Sequence, residues 1–107
     1  MPGDLNQYGS LFGGRLLAWV DEAAWIAASV DFPHCHFVTI AMDKVEFRRG
    51  VGDGTILRIN CEVARKGRTS VSYEVVVTDA RSAMEAVIFH TNVTFVSVND
   101  NGEKREI

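Results

Sequence analysis

The sequence predicts an α+β protein, in which one long buried helix is followed by a curved antiparallel sheet that wraps around it. Two observations carry this prediction. Residues 14–30 are apolar on nearly every side of a helix, which is typical of a helix inside a domain. From residue 37 onward, apolar and polar residues alternate, which is the period of a strand.

The predicted helix begins near the Gly13–Gly14 pair, because residues 1–12 are rich in turn-forming residues. It ends before Pro33, which cannot continue a helix. Two adjacent acids, Asp21 and Glu22, interrupt an otherwise apolar segment. The apolar side chains are Leu16, Leu17, Trp19, Val20, Ala23, Ala24, Trp25, Ile26, Ala27 and Ala28.

Four strands are predicted after the helix, each bounded by glycine-rich or polar turn residues. The second has the clearest alternation, with Leu57, Ile59, Cys61 and Val63 on one side. The polar tail from about residue 99 is expected to fray. The four predicted ranges are 37–47, 55–65, 69–78 and 84–98.

The length of 107 residues predicts a single domain, 1–107. A net charge of −3 gives no general reason to expect a nucleic-acid partner. No apolar run reaches the roughly 18–20 residues that a membrane span needs. With no secretory signal and only two cysteines, Cys35 and Cys61, we expect a cytoplasmic protein with reduced thiols.

The predicted architecture favours self-association. A helix that is apolar all round keeps one side facing outward unless a second copy covers it. Long edge strands also invite pairing with another chain. The simplest assembly that satisfies both is a two-fold homodimer.

The block N-x-x-G-x-L-F-G-G-x-L-L-x-W-x-D-E-A, from Asn6 to Ala23, resembles the signature of the hotdog-fold acyl-CoA thioesterases (acyl-CoA hydrolases). The later stretches VTIAMDKVEFRRGVGDG and ARKGRTSVSYEVVV are similar to that family's first long strand after the helix and its next hairpin. The resemblance implies a hotdog fold and hydrolysis of fatty acyl-CoA without a cofactor. It also implies a dimer that assembles further, to a tetramer or a hexamer. Family members usually have a strand ahead of PGDLNQYG, which this sequence lacks.

Asp21 is the predicted catalytic acid. It shares a helix face with small and apolar residues, so it loses hydration and is suited to act as a general base or as a nucleophile. Gly13 and Gly14 would offer helix N-terminal amides that polarise the thioester carbonyl. The alternatives are that Asp21 hydrogen-bonds a neighbouring loop and that the glycines only allow close packing. Glu22 is expected to be a solvated or salt-bridged acid.

The resemblance also implies a role for Asn6, whose amide would hold the attacking water or the carbonyl. By that resemblance, Asn6 of one subunit would face Asp21 of its partner. The alternative is an ordinary turn asparagine.

The phosphates of CoA require cations. The first candidate is a short basic turn, residues 65–70, which combines charges, a turn amide and hydroxyls. The second candidate is the pair Arg48 and Arg49. The alternative is that these basic residues are merely solvated. The predicted CoA-binding residues of this basic turn are Arg65, Lys66, Gly67, Arg68, Thr69 and Ser70.

The sequence is also compatible with two rival functions. A hotdog dehydratase or hydratase would require a histidine opposite Asp21, and the sequence places none there. A non-catalytic acyl-CoA-binding or regulatory protein would leave Asp21 dispensable. The stretch His34–His36 is not expected to bind a metal, because adjacent residues rarely converge on one tetrahedral ion.

Overall fold

The computed structural model describes residues 2–47, 56–81 and 86–107, which form one helix and a four-stranded antiparallel sheet. The helix packs on one face of the sheet, as the predicted fold class requires. All four predicted strands are confirmed within three residues at either end. The elements are α1 (Pro2–Asp31), β1 (His36–Phe47), β2 (Leu57–Lys66), β3 (Ser70–Asp79) and β4 (Val87–Val98).

The predicted start of the helix was wrong, because α1 begins at Pro2 and not near Gly14. Proline suits the first position of a helix, where its missing N–H would have no partner in any case. Glycines in a helix cost about 1 kcal/mol each relative to alanine but do not forbid it. The turn-forming residues therefore did not mark a loop.

The core lies between α1 and the sheet. The helix contributes a row of fully buried side chains four residues apart, and β3 and β4 supply the opposing surface. The other side of α1 remains uncovered, and Val30 is 72% exposed. The burial predicted for the helix is thus confirmed on one side only within a single chain. The buried row consists of Leu16, Val20, Ala24 and Ala28, and the sheet residues facing it include Val71, Tyr73, Val75, Val77, Phe89, Val93 and Phe95.

The strand order is β1-β4-β3-β2, so the first strand pairs with the last, and β1 and β2 are the edges. One row of the sheet crosses all four strands: Thr39 pairs with Phe95, Phe95 with Val71, and Val71 with Lys66. This row runs from Thr39 on one edge strand to Lys66, which belongs to the basic turn, on the other edge strand.

The tail segment, residues 99–107, does not fray as predicted but folds back on the sheet. The N–H of Arg105 donates to the carbonyl of Ser97, and the N–H of Ile107 donates to the carbonyl of Arg68, each at 2.8 Å. The half-buried Ile107 also packs against the core. Backbone hydrogen bonds of this kind hold polar segments that composition alone would leave free.

Cys35 and Cys61 are not joined by a disulfide bond in this structure. Burial raises the pKa of the Cys61 thiol above its usual value. The described residues contain no helix with both the length and the apolar character needed to cross a membrane.

Candidate active site

Asp21 lies half-buried on α1 beside the edge strand β1. The hydroxyl of Thr39 donates a hydrogen bond to its Oδ1 at 2.7 Å. Within the described part of the chain, Thr39 is the hydrogen-bond partner of Asp21, which leaves Oδ2 available for a water or a substrate atom. The alternative considered for Asp21 was a hydrogen bond to a neighbouring loop. In the structure its partner is instead Thr39, which lies on the strand β1.

A second hydrogen bond fixes the helix against the same strand. The indole N–H of Trp25 donates to the carbonyl of Phe37 at 3.2 Å. Residues four apart on a helix advance by about 6 Å, and residues two apart on a strand advance by about 6.6 Å. The two contacts, from Asp21 to Thr39 and from Trp25 to Phe37, therefore match in spacing. They orient the Asp21 carboxylate through two rigid elements.

The surroundings of Asp21 are apolar and open. Leu17 and Trp25 lie one turn before and one turn after Asp21 on the same side of the helix, and Trp25 is 43% exposed. The indole of Trp25, which donates to Phe37, lies at the seam between the helix and the edge strand β1. A carboxylate at such a seam has contact with solvent on one side and with apolar surface on the other. This arrangement suits a reaction between water and a substrate that carries an acyl chain.

Asn6, Gly13 and Gly14 all lie within α1, not in a loop ahead of it. In a helix interior each peptide N–H donates to the carbonyl four residues earlier. The amides of the two glycines are therefore engaged in this conformation and do not form a helix N-terminus. The side chain of Asn6 lies outside the described part of the structure, so its predicted contact with Asp21 of a partner subunit stays a prediction.

Close packing within the chain does not account for Gly14. A Cβ atom added at this position would meet no heavy atom within 4 Å. The residue is exposed on the helix surface, so the alternative that the glycine only permits close packing finds no support at Gly14 in a single chain.

The predicted CoA-binding residues form the end of β2, a tight turn and the first residue of β3. The N–H of Gly67 donates to the carbonyl of Ser70 at 2.7 Å and closes the turn. A Cβ at Gly67 would lie 3.1 Å from the hydroxyl of Ser70, a tight contact that a small shift of the Ser70 side chain would have to relieve. The ammonium group of Lys66 lies 6.0 Å from the ring centroid of Phe32, at the end of the helix. The guanidinium of Arg68 pairs with Glu106.

Asp21 and the basic turn lie at opposite edges of the sheet. Thr39 and Lys66 occupy the same row on β1 and β2, three inter-strand spacings apart, which is about 14 Å. In an acyl-CoA the pantetheine arm separates the thioester from the nucleotide phosphates. A site for the whole substrate needs such a separation between its acid and its cations.

Several other candidates take no part in this arrangement. Glu22 is exposed, which confirms the expectation of a solvated acid. Arg48 and Arg49 lie outside the described residues. Across residues 2–47, 56–81 and 86–107, no cluster of three potential metal ligands is present, and this range includes His34–His36.

The sequence did not single out Thr39 or Glu106. A threonine in a strand is ordinary, and only its place beside the helix shows that it faces Asp21. The tail segment was expected to fray, so no role was predicted for its acids, which include Glu106. The one available signal was the position of Thr39 within the VTIAMD stretch that resembled the family.

The profile of the thioesterase superfamily matches residues 8–86, which is more than half of the chain. The chain belongs to the thioesterase superfamily. Among curated thioesterases, the acyl-CoA thioester hydrolase YciA of Escherichia coli is 30% identical over 112 aligned positions, which cover 100% of this chain and 84% of YciA.

Solved thioesterase structures share the fold. A hexameric hotdog fold thioesterase of Campylobacter jejuni is 38% identical with a TM-score of 0.75, over 89% of this chain and 74% of that one. An acyl-CoA hydrolase from Staphylococcus aureus, solved with butyryl-CoA and CoA, is 27% identical with a TM-score of 0.79, over 88% of this chain and 58% of that one. Variants of the S. aureus hydrolase with an aspartate or a threonine replaced by alanine have also been solved. The predicted hotdog fold is confirmed.

Proposed function

We propose that this protein is an acyl-CoA thioesterase, which hydrolyses a fatty acyl-CoA to the free acid and CoA. The observation that carries the proposal is the half-buried Asp21 carboxylate, held by Thr39 at the apolar seam between α1 and β1. Relatives named as acyl-CoA thioester hydrolases support the same reaction. The replacement of an aspartate and of a threonine in the S. aureus hydrolase directs attention to the same two residue types.

Asp21 acts on water in the simpler of two routes. One carboxylate oxygen takes a proton from a water molecule, and the water oxygen attacks the thioester carbonyl carbon. The bond from carbon to sulfur then breaks, and the CoA thiolate receives the proton. The Thr39 hydroxyl keeps the carboxylate oriented throughout, because its hydrogen bond engages Oδ1 alone.

In the second route, Asp21 attacks the carbonyl carbon directly and displaces the CoA thiolate. Water then hydrolyses the resulting mixed anhydride. After many turnovers in ¹⁸O-water, this route labels the Asp21 carboxylate if water attacks the aspartyl carbon, whereas the general-base route leaves it unlabelled. Mass spectrometry of the peptide containing Asp21 detects the label, and ¹⁸O found there establishes the nucleophilic route.

The proposed role of the Gly13 and Gly14 amides requires that α1 open ahead of Asp21 when substrate binds. Two adjacent glycines are the weakest point of the helix, because each costs about 1 kcal/mol relative to alanine. Opening there frees peptide N–H groups to polarise the thioester carbonyl. It also frees Asn6 to reach Asp21 of a partner subunit.

The basic turn, residues 65–70, is proposed to hold the phosphates of CoA. It presents the exposed cations Arg65, Lys66 and Arg68 in four residues. A turn amide and the hydroxyls of Thr69 and Ser70 complete the set. The nucleotide would lie about 14 Å or more from the reacting carbonyl, across the sheet or on the partner subunit.

We propose that two copies pair through β1, whose outer edge carries the exposed Val38 and Ile40. Pairing there places Asp21 at a dimer interface and covers apolar surface. Further assembly into a tetramer or a hexamer follows the hexameric relatives, and a cytoplasmic location is part of the proposal.

The test is release of free CoA from a panel of acyl-CoAs of increasing chain length. The wild-type protein should release CoA from at least one of them. Asp21→Asn, which keeps the shape of the side chain, should lower kcat by about a thousand-fold. Glu22→Gln, the adjacent exposed acid, is the matched control and should retain activity. If no acyl-CoA is hydrolysed, or if Asp21→Asn matches the wild type, the proposed function is wrong.

A further inference from the structure

The tail segment brings a carboxylate onto one of the proposed CoA-binding cations. Both Nε and Nη2 of Arg68 donate to a single oxygen, Oε1 of Glu106, and the contact from Nε is 3.2 Å. This edge of a guanidinium is one that binds carboxylates and phosphates with two parallel hydrogen bonds. In this conformation Glu106 therefore occupies a position that suits an anion of the substrate.

The position of Glu106 is fixed from both sides. Its neighbour Arg105 is bonded through its N–H to Ser97, and its neighbour Ile107 is bonded through its N–H to Arg68. Ile107 also packs against the core. These contacts keep the carboxylate close to the guanidinium at a high effective concentration.

The ion pair itself remains easy to displace. The side chain of Arg68 is 85% exposed and that of Glu106 is 66% exposed. Exposed ion pairs are weak and are screened by salt. A multiply charged phosphate can therefore replace the carboxylate, but it must compete with it.

We infer that the tail segment competes with the phosphates of CoA for Arg68, through the Glu106 carboxylate, and so sets the affinity for acyl-CoA. This inference rests on the proposed function, specifically on CoA binding at the basic turn. The competition lowers affinity only for substrates that carry the nucleotide. The competition should not change the affinity for the same acyl group carried as a thioester of N-acetylcysteamine, which lacks the phosphates.

The experiment measures kcat and KM of the full chain carrying Glu106→Gln with both substrates. KM for acyl-CoA should fall by about two- to five-fold at low salt, the range expected for an exposed ion pair, and the difference should shrink as salt rises. Both kcat and the KM for the N-acetylcysteamine thioester should stay unchanged. Glu103→Gln removes an equal charge from the same segment and is the matched control.

An unchanged or raised KM for acyl-CoA in Glu106→Gln overturns the inference, and a raised value would mean that Glu106 aligns Arg68 for the substrate. Calorimetric titration with CoA separates this failure from others. If Arg68→Ala weakens CoA binding while Glu106→Gln does not strengthen it, only the competition is wrong. If neither Arg65→Ala, Lys66→Ala nor Arg68→Ala affects CoA binding, the CoA site is misplaced and the inference fails with it.

Discussion

Thr39 Oγ1 lies 2.7 Å from Oδ1 of Asp21 and joins the helix to the edge strand through the proposed catalytic group. Thr39→Val keeps the shape of the side chain but removes the donor, so the carboxylate loses its orientation. We expect kcat to fall by about ten- to a hundred-fold with little change in KM, since a hydrogen bond to a charged group is worth roughly 1.5–3 kcal/mol.

Thr39→Ser, which restores the hydroxyl, should recover most of the activity. Thr94→Val is the matched control, because Thr94 lies on the other face of the sheet and bonds Ser72 at 2.9 Å. Equal activity in Thr39→Val and the wild type would contradict a positioning role for Thr39.

Gly14→Ala is expected to separate stability from activity. Its Cβ would meet nothing within 4 Å, so the helix should gain about 1 kcal/mol of stability. If the helix must open near Gly14 so that its amides can polarise the thioester carbonyl, Gly14→Ala makes that opening less favourable and should therefore lower kcat. Thermal unfolding and turnover are measured together, with Ser29→Ala as a helix-stabilising control distant from the glycine pair. A stabilised variant with full turnover would remove the glycine amides from the mechanism.

The basic turn should contribute to binding and not to chemistry. Arg65→Gln and Lys66→Gln should each raise KM for acyl-CoA at low salt and leave kcat unchanged, because they remove phosphate contacts remote from the reacting carbonyl. Lys66→Gln also removes its contact with Phe32, so its stability is checked separately. Arg81→Gln, beyond the opposite end of β3, serves as control. A fall in kcat alone would argue against this division of roles.

Tyr73 should make the protein sensitive to alkaline pH. The buried hydroxyl donates to Asp31 Oδ2 at 2.6 Å. Burial first, and then the hydrogen bond and negative charge of Asp31, raise the pKa of Tyr73 well above its usual value. Because the folded state favours the neutral phenol, this stabilisation is complete below about pH 10 and is lost as pH rises above it.

Urea unfolding of wild type and Tyr73→Phe at fixed protein concentration measures this effect. The variant should lose about 1–2 kcal/mol at neutral pH. Its further loss above about pH 10 should be smaller than that of the wild type. Groups that titrate in both proteins cancel in the comparison, so parallel pH profiles would contradict the assignment to Tyr73.

Ile40→Lys should disrupt the homodimer. Ile40 is 60% exposed on the edge strand β1, and a lysine at an edge opposes pairing with another chain. Light scattering after size exclusion should show a smaller species. Val63→Lys on the opposite edge, β2, is the control and should keep the dimer. The reverse result would place the contact between copies at β2.

The strands were predictable because alternation of apolar and polar residues is a local property, and each of the four predicted ranges overlaps an observed strand. The pairing of β1 with β4 was not predictable, since it joins residues far apart in the sequence. The predicted beginning of α1 was wrong because Pro2 and the glycines suit either a turn or a helix, depending on their neighbours. The sequence indicated Asp21 because it is an acid in an apolar segment, whereas Thr39 could be identified only from its hydrogen bond to Asp21 in the structure.

The pairing of β1 with β4 also determines when the proposed site can form. His36 pairs with Val98, and the partner of Thr39 in the sheet is Phe95. During synthesis on the ribosome, α1 and β1 emerge long before the strand that holds β1 in place. Distant pairings of this kind are slow, since the intervening chain must first be ordered. Asp21 and Thr39 should therefore come together only after β4 has been made, and a nascent chain without β4 should carry no activity.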